Sequence, residues 1–254
     1  MVKIVVFDSG LGSLSIIKEI QKIVKADIVY FADQKNYPYG KKSQAQLNRI
    51  MEKTINLLEE KFMPDIIVVA SNTPSLMLNL STKKIIDVKP PLKLAQKKSE
   101  SKKIGILATK SAIESKGLEN YIRENNIPKS YKIFKINGSN LVDLVESGKF
   151  LNNKKHCKKI IKKSLDDYII TEKIDAITLS STHLLFLKTL LEKEFPQVKF
   201  IDPGSLVAKK IFLKIKNKQS KRNSLKIFTS GDIINFKNKL NKIGIKNKIN
   251  YLST

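Results

Sequence analysis

Two short segments place hydroxyl and amide side chains where a reactive group would stand. Ala70-Ser71-Asn72-Thr73 follows the apolar run Ile66-Ile67-Val68-Val69, and Ser180-Ser181-Thr182-His183 follows Ala176-Ile177-Thr178-Leu179. A buried parallel strand that ends in small polar residues presents them at the carboxyl edge of its sheet, where open α/β folds bind ligands. Two such turns suggest two halves that address one small polar ligand from opposite sides. His183 is one of two histidines in the chain and titrates near neutrality. A third segment, Asp8-Ser9-Gly10-Leu11-Gly12-Ser13-Leu14, is a glycine-containing strand-to-helix turn. It departs from a dinucleotide fingerprint: Ser15 stands where a third glycine or alanine belongs, and Asp8 would face the pyrophosphate. A carboxylate there suits a proton or an ammonium group. Its plain structural alternative is a capping aspartate in a tight turn. Asn36-Tyr37-Pro38-Tyr39-Gly40 is an aromatic turn whose proline and glycine favour a turn by themselves.

The elements that position these residues emerge from the hydrophobic pattern. Apolar, β-rich runs at 4–7, 28–32, 66–70, 104–108, 131–136, 174–179, 198–201 and 225–229 predict strands. Amphipathic segments at 14–24, 43–61, 111–125, 139–146, 153–170, 184–194, 205–216 and 232–240 predict helices. Ser43 is the expected N-cap of the second helix, and Pro74 suits the first turn of another. Residues 213–226, rich in lysine, read as an exposed connection. Lys89-Pro90-Pro91 punctuates the chain, and the pattern then starts again. Residues 4–10 resemble 104–109, and the Ser71 turn resembles the Ser181 turn. Such alternation predicts an α/β protein of two similar, pseudo-symmetric domains with mostly parallel sheets. The expected domains are 1–95 plus 207–254, and 96–206, with the active site in the interdomain cleft and domain motion as its gate.

Composition narrows the classes. The 254 residues are 41% apolar, enough for a sizeable core. No stretch approaches the length of a membrane span, and Asp8 comes too early for a signal peptide, so a cytoplasmic protein is expected. The single cysteine, Cys157, excludes an intrachain disulfide framework and a cysteine-rich metal site. It lies in a lysine-rich stretch far from both turns and reads as structural. The net charge of +25 is carried almost wholly by lysine, with arginine only at 49, 123 and 222. Lysines spread along the whole chain fit a solvated basic surface better than a dedicated nucleic-acid site, for which arginine is the usual base reader.

Read in order, several motifs resemble the cofactor-independent aspartate/glutamate racemase family, its glutamate racemases in particular. They are Asp8-Ser9-Gly10-Leu11-Gly12, then Ala32-Asp33 with Pro38-Tyr39-Gly40-Lys41-Lys42-Ser43, then Ala70-Ser71-Asn72-Thr73, then Ser181-Thr182-His183. Residues 104–109, 141–148 and Asp202-Pro203-Gly204 extend the match over nearly the whole chain. The resemblance implies two catalytic positions flanking the substrate α-carbon, held by cysteines in the family and by Ser71 and Ser181 here. It implies that Asp8 supports the first position, and His183 and Glu146 the second. Ser9, Pro38, Tyr39, Gly40, Asn72, Thr73 and Thr182 would hold the substrate's carboxylate and ammonium groups. It further implies a small acidic amino acid as ligand, no metal or organic cofactor, a homodimer, and a place in peptidoglycan synthesis. Ser13 and Ser180 stand where the family usually has glycine, and Leu184-Leu185 replaces an aromatic-proline pair.

The serines separate several expectations. A thiol, with a reference pKa of about 8.5, can be brought into use near neutral pH. A serine hydroxyl needs a strong adjacent base. Two-base racemisation of glutamate or aspartate is therefore expected to be impaired in this chain. The replacement could be a deliberate paired exchange, or natural in a non-catalytic relative that binds a small acid. It could also mark a slower reaction with Asp8 and His183 as the acid/base pair. A regulatory or nucleic-acid-binding protein on the same fold is the alternative of a different class.

Overall fold

The computed structural model describes residues 2–215, 218 and 220–254. Its strands are β1 (Lys3–Asp8), β2 (Asp27–Ala32), β3 (Ile66–Val69), β4 (Ile85–Asp87), β5 (Lys103–Ala108), β6 (Lys132–Asn137), β7 (Ala176–Leu179), β8 (Lys199–Ile201), β9 (Ser224–Thr229) and β10 (Ile249–Tyr251). They form two sheets in which every pairing is parallel. The chain divides into two compact units, Met1–Val88 with Gly204–Thr254, and Lys89–Pro203.

The first unit holds a six-stranded sheet in the order β10-β9-β2-β1-β3-β4. Ile4, Val5, Val6 and Phe7 of β1 are all buried, as a central parallel strand covered on both faces requires. On one face Val5, Phe7, Val29, Phe31, Ile67 and Val69 pack with Leu47, Met51 and Leu58 of helix Gln44–Phe62. That helix starts at the expected cap. Ser43 Oγ accepts from Gln46 N at 3.2 Å, and Gln46 Oε1 accepts from Ser43 N at 2.9 Å, a capping box. Such a cap contributes about 1 kcal/mol and fixes where the chain leaves the preceding loop. Helices Ser13–Ile23 and Gly204–Ile215 pack against each other, burying Ile16, Ile17 and Ile20 with Val207, Ala208 and Ile211.

The second unit repeats the inner part of this plan. Its order β6-β5-β7-β8 matches β2-β1-β3-β4, strand for strand. Backbone hydrogen bonds match too: Ala70 N donates to Phe7 O, and Ser180 N to Leu107 O, both at 2.8 Å. Asp33 N donates to Asp8 O at 2.8 Å, and Gly138 N to Ala108 O at 2.7 Å. Gly105 lets the central strand β5 sit tight, since a Cβ there would lie 2.8 Å from Ile136 Cδ1. Cys157 is fully buried in the core of this unit with Leu141, Val145, Ile161 and Leu165. Burial pushes its thiol pKa up, away from the reactive thiolate.

Several elements differ from the sequence expectation. The helix expected at 111–125 is two, Lys110–Ile113 and Lys116–Glu124, because Ser115 Oγ accepts from Leu118 N at 3.1 Å and starts a new helix. The helix expected at 153–170 is α-helical over Lys154–Asp166 and closes in a π-helical turn, Asp167–Thr171. The segment 184–194 begins as a 3-10 helix, Thr182–Leu187, before Lys188–Glu194. Strands β4 and β10 go beyond the expected set: Ile85-Ile86 is cut short by Asp87, and in β10 Ile249 is followed by polar Asn250. Helix Leu92–Lys98 starts directly after Pro91, where a proline pair reads as punctuation but also suits a helix N-terminus. Of the expected connection 213–226, residues up to Ile215 belong to a helix and those from Ser224 to β9. Ser220 is buried there, and residues 216, 217 and 219 lie outside the described set, as does the last residue of the helix expected at 205–216.

Candidate active site

In the first unit the candidate residues gather at the carboxyl ends of β1, β2 and β3. Asp8 ends β1 and is 2% exposed. Its Oδ1 accepts from Ser9 N at 2.6 Å. Tyr30 OH donates to Gly10 O at 2.6 Å and fixes the turn after β1. Ser71 comes just after β3, as the N-cap of the short helix Asn72–Met77, with Thr73 and Pro74 in its first turn. Serine is a favoured N-cap because its hydroxyl can take an orphan backbone amide. Ser71 makes no such bond, nor any other side-chain hydrogen bond among the described residues. Asn72 Nδ2 donates to Val88 O at 2.9 Å, while its Oδ1 is buried without a partner.

The aromatic turn is tied to the same edge by Asp33, a fully buried carboxylate just past β2. Asp33 Oδ2 accepts from Tyr39 OH and from Asn36 Nδ2, both at 2.9 Å. Its Oδ1 accepts from Ser230 Oγ and from Asn36 Nδ2, both at 3.0 Å. Tyr39 is itself buried, and burial, then the nearby charges of Asp33 and Asp8, raise its pKa well above the ordinary phenol value. It therefore stays protonated and donates. Pro38 and Gly40 flank it in a turn whose Tyr37–Pro38 bond is cis.

In the second unit β7 leads to the matching turn. Ser181 is the N-cap of the 3-10 helix Thr182–Leu187 and, like Ser71, makes no side-chain cap hydrogen bond. The backbones agree: φ −142°, ψ 125° at Ser71 and φ −144°, ψ 132° at Ser181. Two residues on, His183 is buried, and its Nε2 lies 2.7 Å from Glu146 Oε1. Glu146 ends helix Ser139–Glu146, which stops at Gly148 in the left-handed region, φ 72°. With a carboxylate as acceptor, Nε2 carries the proton, and Nδ1 of a neutral ring is an acceptor. Ser180 is accommodated by its neighbour, its hydroxyl lying 2.8 Å from Thr178 Oγ1.

The expected residues thus fall into two clusters, one in each unit. Asp8, Ser9, Tyr39, Ser71, Asn72 and Thr73 share the strand ends of the first. Glu146, Ser181, Thr182 and His183 share those of the second. Sequence pattern assigns no role to Asp33 or Ser230, yet they anchor the aromatic turn. Asp33 belongs to the Ala32-Asp33 motif of the family resemblance, without a role there, and the only signal of Ser230 is that a polar residue directly follows β9. Among the described residues no three His, Cys, Asp or Glu side chains gather as metal ligands, and no helix is long and apolar enough to cross a membrane.

Solved structures of glutamate racemases share this architecture. The glutamate racemase isoform RacE1 of Bacillus anthracis superposes with a TM-score of 0.86 at 23% identity, covering 99% of this chain and 97% of that one. Escherichia coli glutamate racemase, solved with L-glutamate and the activator UDP-MurNAc-ala, gives 0.83 at 21% identity, covering 99% and 98%. These likenesses show the fold: this chain shares the α/β architecture of those proteins. In sequence, the glutamate racemase of Buchnera aphidicola is 31% identical over 227 residues, 87% of this chain and 88% of the relative. No protein-family model matches the chain. The chain belongs to the glutamate racemase family, and by that membership is an amino-acid racemase, an isomerase.

Proposed function

We propose that this chain is a glutamate or aspartate racemase whose two-base α-proton transfer is impaired because serine occupies both proton-transfer positions. The observation that carries this is the matched pair Ser71 and Ser181. Both sit at an N-cap in nearly the same backbone conformation, and neither hydroxyl caps its helix. A residue that follows the local rule for its type would bond the helix amide; these two leave the hydroxyl for something else.

Glutamate is the first candidate, since L-glutamate is bound in the Escherichia coli relative. Asn72 Oδ1, a buried acceptor with no protein partner, suits the substrate ammonium. Ser9, Thr73, Thr182 and the Pro38-Tyr39-Gly40 turn suit its carboxylates. In this scheme one base removes the α-proton while the opposite group delivers another to the other face. Asp8 steadies the first position and the His183–Glu146 pair the second. The hydroxyls of Ser71 and Ser181 are too weakly acidic to serve as these bases unaided. A homodimer belongs to the same proposal and is checked by light scattering.

Circular dichroism at fixed enzyme concentration tests it, with L-glutamate and L-aspartate offered to this chain and to S71C/S181C. Racemisation raised on the order of 10²-fold or more in the double variant is the expected outcome. Equal, negligible rates for both proteins, with the variant folded, would contradict it.

A further inference from the structure

Away from both clusters, the first unit has a cavity of about 190 Å³ lined by Lys35, Asn36, Arg49, Ile50, Lys53, Thr54 and Thr254. Its charged side chains are all cationic. Arg49 and Lys53 are four residues apart on helix Gln44–Phe62, so they share one helix face, and like charges at that spacing repel. Neither has an ion-pair partner among the described residues. Lys35 Nζ donates to Thr254 O at 2.9 Å, which leaves it further N–H donors. The hydroxyl of Thr254 is buried without a hydrogen-bond partner, a second polar group here with unmet capacity. Ile50 is the apolar residue of the lining.

Arg49 is one of three arginines in a chain whose basic residues are otherwise lysine. Its planar fork binds the two oxygens of a carboxylate or phosphate, where a lysine offers a point charge.

We propose that this cavity is a binding site for a small oxyanion, of which a phosphate monoester is the best match. Arg49 grips two oxygens, Lys53 neutralises the remaining charge, and the Ile50 side chain takes a short organic stem. A dianion suits the two unpaired cations of the helix and removes their mutual repulsion. The site stands on its own residues and does not depend on the racemase proposal. It does adjoin that machinery, because Asn36 lines the cavity and its amide also holds Asp33, the anchor of Tyr39.

Titration calorimetry at constant ionic strength tests the site, with inorganic phosphate and succinate as the two probes. The proteins are the full chain, R49A/K53A, and K159A/K163A, which removes the same charge from a helix of the other unit. Circular dichroism verifies that each variant is folded. The expected result is one saturable site that weakens about ten-fold or more in R49A/K53A and less than two-fold in K159A/K163A. Tighter phosphate than succinate assigns a phosphate ligand; the reverse assigns a carboxylate to the same site. Equal weakening in both variants would show only the field of a basic surface and overturn the proposal. Absence of saturable binding of either probe would overturn it as well.

Discussion

The Ser71 turn and the Ser181 turn share a strand position, a backbone conformation and an unused capping hydroxyl, yet their surroundings differ. In the first unit the neighbouring strand end brings a carboxylate, Asp8, held by the amide of Ser9. In the second, a helix end brings Glu146 against His183 at 2.7 Å. One scaffold position is thus set beside two kinds of proton-handling group. Asp8 is a carboxylate that accepts a backbone amide, whereas His183 is an imidazole hydrogen-bonded to a carboxylate. The proposed two-base racemisation needs one partner deprotonated and the other protonated at the start, a difference that unlike neighbours would supply. Duplication of a fold therefore fixes where a group stands without fixing its chemistry.

The comparison is broken most severely by removing one neighbour at a time in the S71C/S181C background. D8N and H183N are each expected to lower the rate by on the order of 10²-fold, as loss of acid–base support does. Steady-state rates from each enantiomer separately would show whether the two halves act on opposite directions. Equal loss in both directions from both variants would argue against distinct roles. A smaller effect is expected at the anchor of the aromatic turn. D33A leaves Tyr39, Asn36 and Ser230 without their common acceptor and should cost about 3 kcal/mol in urea unfolding, several times a surface change.

The second unit has its own carboxylate tie, Asp175, just before β7. Burial opposes its ionisation, but hydrogen bonds from the Ser99 hydroxyl, the Ser101 amide and hydroxyl, and the Glu100 amide hold its pKa below the ordinary carboxylate value. A depressed folded-state pKa contributes stability above the unfolded value of about 3.9 and loses it as pH falls through the folded value. D175N should therefore cost about 1 kcal/mol at pH 7, with the gap from the parent closing below about pH 4. Thermal unfolding at several pH values checks this. The smallest effect is expected at Ser13, whose hydroxyl is fully buried with no partner, while that of Ser180 meets Thr178. S13A should stabilise by up to about 1 kcal/mol, and S180A should not.

Much of this arrangement is legible in the sequence, for physical reasons that differ by residue. Uninterrupted apolar runs such as Ile66–Val69 announce central parallel strands, and the residues just past the carboxyl end of such a strand must lie at the ligand-binding edge. That logic finds Asp8, Ser71 and Ser181 directly. The partners of His183 and Asp33 are harder to find, because Glu146 lies 37 residues from His183 and Ser230 lies 197 from Asp33. Only the fold brings them together. Family resemblance points to Glu146, and nothing in local pattern points to Asp33. The helix break at Ser115 is hidden because a hydroxyl at an N-cap and one inside a helix look alike in a hydrophobic pattern.

The most direct test of two unlike halves sharing one reaction is α-proton exchange in D2O, monitored by NMR for L- and D-glutamate with this chain, S71C, S181C and S71C/S181C. With a thiol on one side only, the α-proton of one enantiomer should wash out while the other is retained, and the two single variants should choose opposite enantiomers. The double variant should exchange and racemise both, and the parent should do neither at a comparable rate. Exchange of the same enantiomer by both single variants, or by none of the four proteins, would contradict two opposed proton-transfer positions at Ser71 and Ser181.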